Sequence, residues 1–207
     1  MIRRPETARA VQLRWAALGV VYGVVILGCA QADLYKQKAE KLAVEAKRKA
    51  TTPAMPCDAE VSEEPPLSCV SGKLWCGATI EGSTIGGLHN WDGQFYNDKF
   101  CLPGGDYSGP ERVYTLDVPE YTAATVELQS DCVDLDLIAL SFTWSSGACP
   151  GMQHNIPNCD GSSDVGGDSI ELQSFHNPGS YMIAVDGKGS VTGTYRLTVR
   201  CEGIVRR

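Results

Sequence analysis

The strongest constraint on this chain is a pattern of alternation. In residues 194–201, Tyr195, Leu197, Val199 and Cys201 fall on one side of an extended backbone, and Thr194, Arg196, Thr198 and Arg200 on the other. A period of two with one apolar and one polar set is the mark of a strand with one face in a core and one in water. Comparable runs separated by Gly, Pro, Asn and Asp fill residues 106–202: 109–119, with Tyr114, Leu116 and Val118 on one face, then 125–128, 135–142, 169–175 and 181–185. A shorter run enters a glycine-rich turn over residues 75–87. Short strands at this spacing predict an all-β sandwich of about seven or eight strands. Residues 135–142 are apolar on both faces after Asp136, so this run is expected to be the central strand.

Charge divides the 207 residues into unequal parts. Residues 1–56 carry a balance of +6, residues 57–203 a balance of −15, and the tail adds +2 through Arg206 and Arg207. An acidic globular part argues against nucleic acid as a partner, because phosphates are met by basic patches. Nine cysteines are present, an odd number, and Cys29 stands apart at the end of an apolar run. The other eight, Cys57, Cys69, Cys76, Cys101, Cys132, Cys149, Cys159 and Cys201, lack a C-x-x-C pair or a Cys/His ligand spacing. They read as up to four disulfides rather than a zinc site, and disulfides imply export to an oxidising compartment.

The N-terminal arm fits that destination. Arg3, Arg4, Arg9 and Arg14 precede an apolar run of thirteen residues, 15–27, closer to a signal-peptide core of ~7–15 residues than to a membrane span of ~20. Ile26-Leu27-Gly28-Cys29 closes it and resembles a bacterial lipobox, in which the cysteine is lipidated and becomes the new N-terminus. The alternative is an uncleaved transmembrane anchor. The basic residues after the run outnumber those before it, which under the positive-inside rule would leave the cysteines in the cytoplasm, so the lipoprotein reading is preferred. Residues 30–50 lack Gly and Pro and are rich in Ala, Leu, Glu, Gln and Lys, which predicts a helical stalk. Residues 51–68 are a Pro- and Glu-rich linker, 69–203 the β domain, and 204–207 a basic tail.

Within the β domain several pieces fall in a familiar order. Cys76-Gly77, Gly109-Pro110-Glu111 with Val113-Tyr114, Asp134-Leu135-Asp136-Leu137, the run from Tyr181 to Asp186-Gly187, and Gly193-Thr194-Tyr195-Arg196-Leu197-Thr198-Val199 together resemble the bacterial pre-peptidase C-terminal (PPC) domain. The resemblance covers residues 69–202. It implies a jelly-roll-like β-sandwich, an accessory module of secreted peptidases and envelope proteins without catalysis of its own. It also implies pairing of Cys76 with Cys101, Cys149 with Cys159 and Cys69 with Cys201, leaving Cys57 with Cys132.

Catalytic chemistry has little support in the sequence. His89, His154 and His176 lie in loop-like stretches, and no G-x-S-x-G, H-E-x-x-H or P-loop motif is present. No catalytic residue and no obligatory cofactor is therefore expected. Calcium is the one cofactor with candidate ligands, the oxygens of Asp131, Asp134 and Asp136; a second group, Asp160, Asp164 and Asp168, reads as turn chemistry. Residues 89–97 interleave Trp91, Phe95 and Tyr96 with amides and carboxylates. Such rings either stack on a sugar or a protein partner, or cover an open sheet face as a lid; the lid is preferred.

Together these features predict a non-enzymatic lipoprotein of the bacterial cell envelope, at the outer membrane or the periplasmic face. It is held to the membrane by an N-terminal lipid or helix, and its sandwich binds or scaffolds a surface protein or glycan. The alternative is an accessory subunit of a membrane or secreted enzyme complex anchored by an uncleaved helix.

Overall fold

The computed structural model describes residues 35, 36, 38–40, 42, 43, 47, 54, 66, 68–101, 104–143, 148–162 and 167–204. The chain divides into two compact units, residues 1–53 and 54–207. In the first, the described residues between 35 and 47 are helical and exposed. The signal-like run, the lipobox with Cys29, and Cys57 lie outside the described residues. Among the described residues no helix is long and apolar enough to cross a membrane.

The second unit is a sandwich of two sheets. In chain order the strands are β1 (Gly72–Leu74), β2 (Thr79–Ser83), β3 (Arg112–Val118), β4 (Thr122–Gln129), β5 (Leu135–Ser141), β6 (Cys159–Ser162), β7 (Asp168–Ser174), β8 (Gly179–Gly187) and β9 (Thr194–Gly203). One sheet has the order β1-β3-β8-β5-β6 and the other β2-β9-β4-β7. All described pairings are antiparallel except that of β1 with β3. The alternation in 194–201 holds as expected: Tyr195, Leu197 and Val199 are buried between the sheets with Cys201 packed beside them. They meet Tyr114, Leu116 and Val118 of β3 and Leu137 of β5. Each such Leu or Val withdraws apolar surface worth ~1.5–3 kcal/mol.

Three polar contacts bind the two layers. The Tyr114 and Tyr195 hydroxyls meet at 2.6 Å inside the core. The buried Arg112 side chain donates from Nε to the Ser83 carbonyl and from an Nη to the Ile85 carbonyl, both at 2.9 Å. On β7, Asp168 accepts from the Leu137 backbone N–H and the Ser162 hydroxyl, both at 2.9 Å. Asp168 is thus a buried strut between the sheets and not a turn residue.

The central position of the five-stranded sheet belongs to β8, with β5 beside it. The two-faced apolar character of β5 has a different origin from centrality. Leu135, Leu137 and Ala139 face the second sheet, while Ile138 and Leu140 enter a second core on the outer face of their own sheet. The edge strands β1 and β6, of three and four residues, carry too little pattern to be predicted.

The disulfides differ from the pairing that the resemblance implied. They join Cys69 to Cys149, Cys76 to Cys201 and Cys101 to Cys159. Cys132 is also disulfide-bonded, and its partner lies outside the described residues. Loop closure alone favours the short pair Cys149 and Cys159, but the tertiary structure sends these two ends to different segments on the outer face of the larger sheet. Non-reducing peptide mapping is expected to recover cross-links 69–149, 76–201 and 101–159. Replacing both Cys76 and Cys201 by Ser, which opens a loop spanning 125 residues, is expected to cost ~2–5 kcal/mol in chemical denaturation.

Candidate functional site

The outer face of the five-stranded sheet is where chemistry-bearing residues converge. Val113 on β3, Met182 and Ala184 on β8, and Ile138 and Leu140 on β5 make it apolar, and an apolar sheet face in water must be covered. The cover is the segment between β2 and β3, here called the lid, built around the short helix Gly93–Asp98. Asp92 caps that helix, its carboxylate accepting from the Phe95 N–H at 2.8 Å. The cap turns Trp91, Phe95 and Tyr96 inward, where they are 3%, 3% and 0% exposed. Trp91 stacks on Phe95 with centroids 5.2 Å apart, and Tyr96 meets Tyr107 edge-on at 5.1 Å. Gly93 has no room for a Cβ, because the Gly105 carbonyl oxygen occupies that space.

This burial corrects the reading of Trp91, Phe95 and Tyr96 as a sugar- or partner-stacking surface. The rings are spent on the sheet and present no face to a ligand. The lid alternative describes them.

Beneath the lid lies a row of three carboxylates. The register pairs Asp136 on β5 with Asp186 on β8, and one step beyond the Arg112–Val185 pair places Glu111 on the other side of Asp186. All three are at most 1% exposed. Each accepts a hydrogen bond from the segment that covers it. The Asn90 backbone N–H and side-chain amide both donate to Glu111 Oε1 at 2.7 Å. The Tyr96 hydroxyl donates to Asp186 Oδ2 at 2.9 Å, and the Tyr107 hydroxyl to Asp136 Oδ2 at 2.5 Å. Asp186 Oδ1 also takes the Gly187 N–H at 2.7 Å. Glu111 Oε2 and Asp136 Oδ1 are buried without a hydrogen-bond partner.

Few cations answer these acids. Lys188 reaches Asp136 at 3.4 Å, and its ammonium lies 6.0 Å from the centre of the Tyr107 ring. Burial therefore dominates: it pushes the Glu111 carboxyl up to about 7 against the opposing pull of the Asn90 hydrogen bonds. Burial raises Asp186 to about 8, with the neighbouring Glu111 and Asp136 charges adding to the rise. Asp136 is raised by burial too, with Tyr107 and Lys188 pulling the other way. Burial and the adjoining carboxylates raise both Tyr96 and Tyr107, so these phenols stay protonated donors.

The candidate calcium ligands are not brought together. Among the described residues no group of three or more His, Cys, Asp or Glu side chains is placed to hold a metal ion. Asp136 is turned into the lid interface toward Tyr107, whereas the exposed Asp131 accepts from the Gln129 amide at 2.8 Å. Asp134 has its Oδ1 buried without a hydrogen-bond partner. Of the second acidic group, Asp160 lies on β6 and caps the Gly161 N–H, Asp168 is the inter-sheet strut, and Asp164 lies outside the described residues. The histidines serve loops: His89 pairs with the Ser108 carbonyl, His154 accepts from the Gly151 N–H, and His176 meets the Tyr121 hydroxyl. A shallow groove of about 330 Å³ lies elsewhere, between β6 and β7, lined by Asn158, Asp160, Glu171, Gln173 and Tyr181.

Sequence reasoning missed Glu111, Asp186 and Tyr107 as members of one cluster. A signal was present: Asp136 and Asp186 are acids set at the ends of runs that are otherwise apolar on both faces, a placement that solubility does not explain.

No family model and no curated protein matches the chain. Solved structures do. The chain is similar to the pre-peptidase C-terminal domain of a collagenase from Bacillus anthracis, with 20% identity over 62% of this chain and 93% of that one, at a TM-score of 0.37. It is also similar to PliG of Aeromonas hydrophila, a periplasmic inhibitor of g-type lysozyme, with 15% identity over 63% of this chain and 96% of that one, at a TM-score of 0.34.

Two outcomes follow for this site. Trp91→Ala is expected to lose ~3–5 kcal/mol of stability by emptying the lid core, measured by denaturant unfolding. The raised carboxyls set a pH dependence with a definite sign. Glu111 and Asp186 keep their protons in the folded state where the unfolded chain has released them, so their contribution is full below about pH 4 and is lost as pH rises through about 7 and then about 8. The melting temperature is expected to fall between pH 5 and pH 8, on the order of 5–6 kcal/mol in stability, and Asp186→Asn to remove much of that slope.

Proposed function

We propose that this protein is a non-enzymatic component of the bacterial cell envelope, a membrane-anchored lipoprotein whose disulfide-stapled sandwich binds or scaffolds another surface component, a protein or a glycan. The observation that carries this reading is the cross-linking. Three disulfides of sequence separation 58 to 125 tie β9 to the segment entering β2, the segment before β1 to the β5–β6 connection, and the lid to β6, an arrangement that belongs to an oxidising compartment. The placement of the titratable groups supports the non-enzymatic part. Glu111, Asp136 and Asp186, the acids whose carboxyls burial raises, are sealed beneath the lid and occupied by its hydrogen bonds, out of reach of a substrate. Exposed side chains such as Trp75, Ile85, Phe100 and Phe175 leave apolar surface for contact instead.

The anchor is Cys29, the cysteine that an even set of disulfides leaves over. The test is the intact mass of the membrane-extracted protein before and after reduction and alkylation. The expected result is a chain beginning at a lipid-modified Cys29, with eight thiols that react only after reduction. Thiols that react without reduction would overturn the exported reading. A chain retaining Met1 would overturn the lipoprotein and favour the subunit with an uncleaved membrane helix.

A further inference from the structure

The lid is held to the protein in two different ways. Its ends are tethered firmly: Leu88 and Glu111 exchange backbone hydrogen bonds at 2.8 and 3.1 Å, and Cys101 is cross-linked to Cys159. Between these tethers, residues 90–100 are fastened by side chains. Trp91 Nε1 donates to the Pro150 carbonyl at 2.7 Å, and Lys99 donates to the Met152 and His154 carbonyls, both at 2.8 Å. The remaining fastenings, from Asn90 and Tyr96, end on Glu111 and Asp186, which are neighbours in the same row. Two like groups side by side under an apolar cover are tolerated while they carry protons and repel when they do not.

We propose that the lid is a proton-gated cover: loss of protons from Glu111 and Asp186 releases residues 90–100 from the outer face of the five-stranded sheet, the two tethers holding the segment's ends. Opening admits water to both carboxylates and uncovers the apolar patch of Val113, Ile138, Leu140, Met182 and Ala184. The groups that face the pair come from every packed element. The lid side contributes Asn90, Tyr96 and Tyr107, with His89 acting on Glu111. Strand β5 contributes Asp136, with Asp134 beside it, and the turn after β8 contributes Lys188. Asp168 of β7 acts on Tyr107, and the guanidinium of Arg112 is turned to the Ser83 and Ile85 carbonyls. The cation at hand, Lys188, answers Asp136 rather than the pair.

The size of the effect follows from linkage. Opening releases both protons, so the opening constant rises about a hundredfold per pH unit between the ordinary carboxylate range and about 7, about tenfold per unit from there to about 8, and levels off above. Hydrogen–deuterium exchange on the full chain at pH 5, 6.5 and 8, corrected for the intrinsic rate, reads this directly. The expected result is that protection of residues 91–100 falls by about tenfold to a hundredfold per pH unit relative to that of β9, which serves as the internal control. Protection of the lid that stays constant, or that changes in parallel with β9, would overturn the proposal. Glu111→Gln and Asp186→Asn, which hold the neutral form, are each expected to flatten the profile; a folded variant with the wild-type slope would also overturn it. Should Asp186→Asn fail to fold, Glu111→Gln and the wild-type profile decide.

Discussion

A sheet with two apolar faces has to be covered twice. That constraint organises the β unit. The inner face of the five-stranded sheet is closed by the second sheet through Leu116, Leu137, Val185, Leu197 and their neighbours. Among the described residues no third sheet meets the outer face, and a loop supplies the cover, folding three aromatic rings onto it around one turn and a half of helix. A loop has few backbone hydrogen bonds of its own with which to stay in place. Its attachment therefore falls to the disulfide at Cys101 and to polar contacts with the sheet.

Those polar contacts explain why acids sit where apolar residues would pack as well. Tyr96, Tyr107 and Asn90 bring donors to the interface, and buried donors need acceptors. Carboxyls at Asp186, Asp136 and Glu111 supply them and give the lid a unique seating that an apolar surface would not. The arrangement stores an electrostatic cost, since three acids in adjacent strands share a space with little counter-charge. The same feature that fixes the lid also makes its closure depend on protons.

The disulfides do a complementary job. Cys76–Cys201 closes one end of the four-stranded sheet, joining the segment before β2 to the last strand; Cys101–Cys159 fastens the lid, and Cys69–Cys149 joins the segment before β1 to the β5–β6 connection. Together with the Tyr114–Tyr195 hydroxyl contact and the Asp168 strut, they make sheet, sheet and lid one cross-linked body. A domain of this kind suits an exposed position outside the cytoplasm, where a chain must hold its shape without help.

Much of this fold was legible in the sequence because its causes are local. The alternation of Tyr195, Leu197 and Val199 follows from the two-residue period of a strand, the acidic balance of the β unit from simple counting, and the lid role of Trp91 and Phe95 from their apolar bulk. What the sequence could not determine was which distant residues would meet. Glu111, Asp136 and Asp186 lie 25 and 50 residues apart along the chain, and only the register of β3, β8 and β5 sets them in one row. The cysteine pairing was decided in the same way: the shortest loop is favoured by chain entropy, yet packing of the lid and of β9 carried each cysteine to a partner far along the chain. Local pattern chose the strands; the long-range geometry of two sheets and a lid chose the contacts between them.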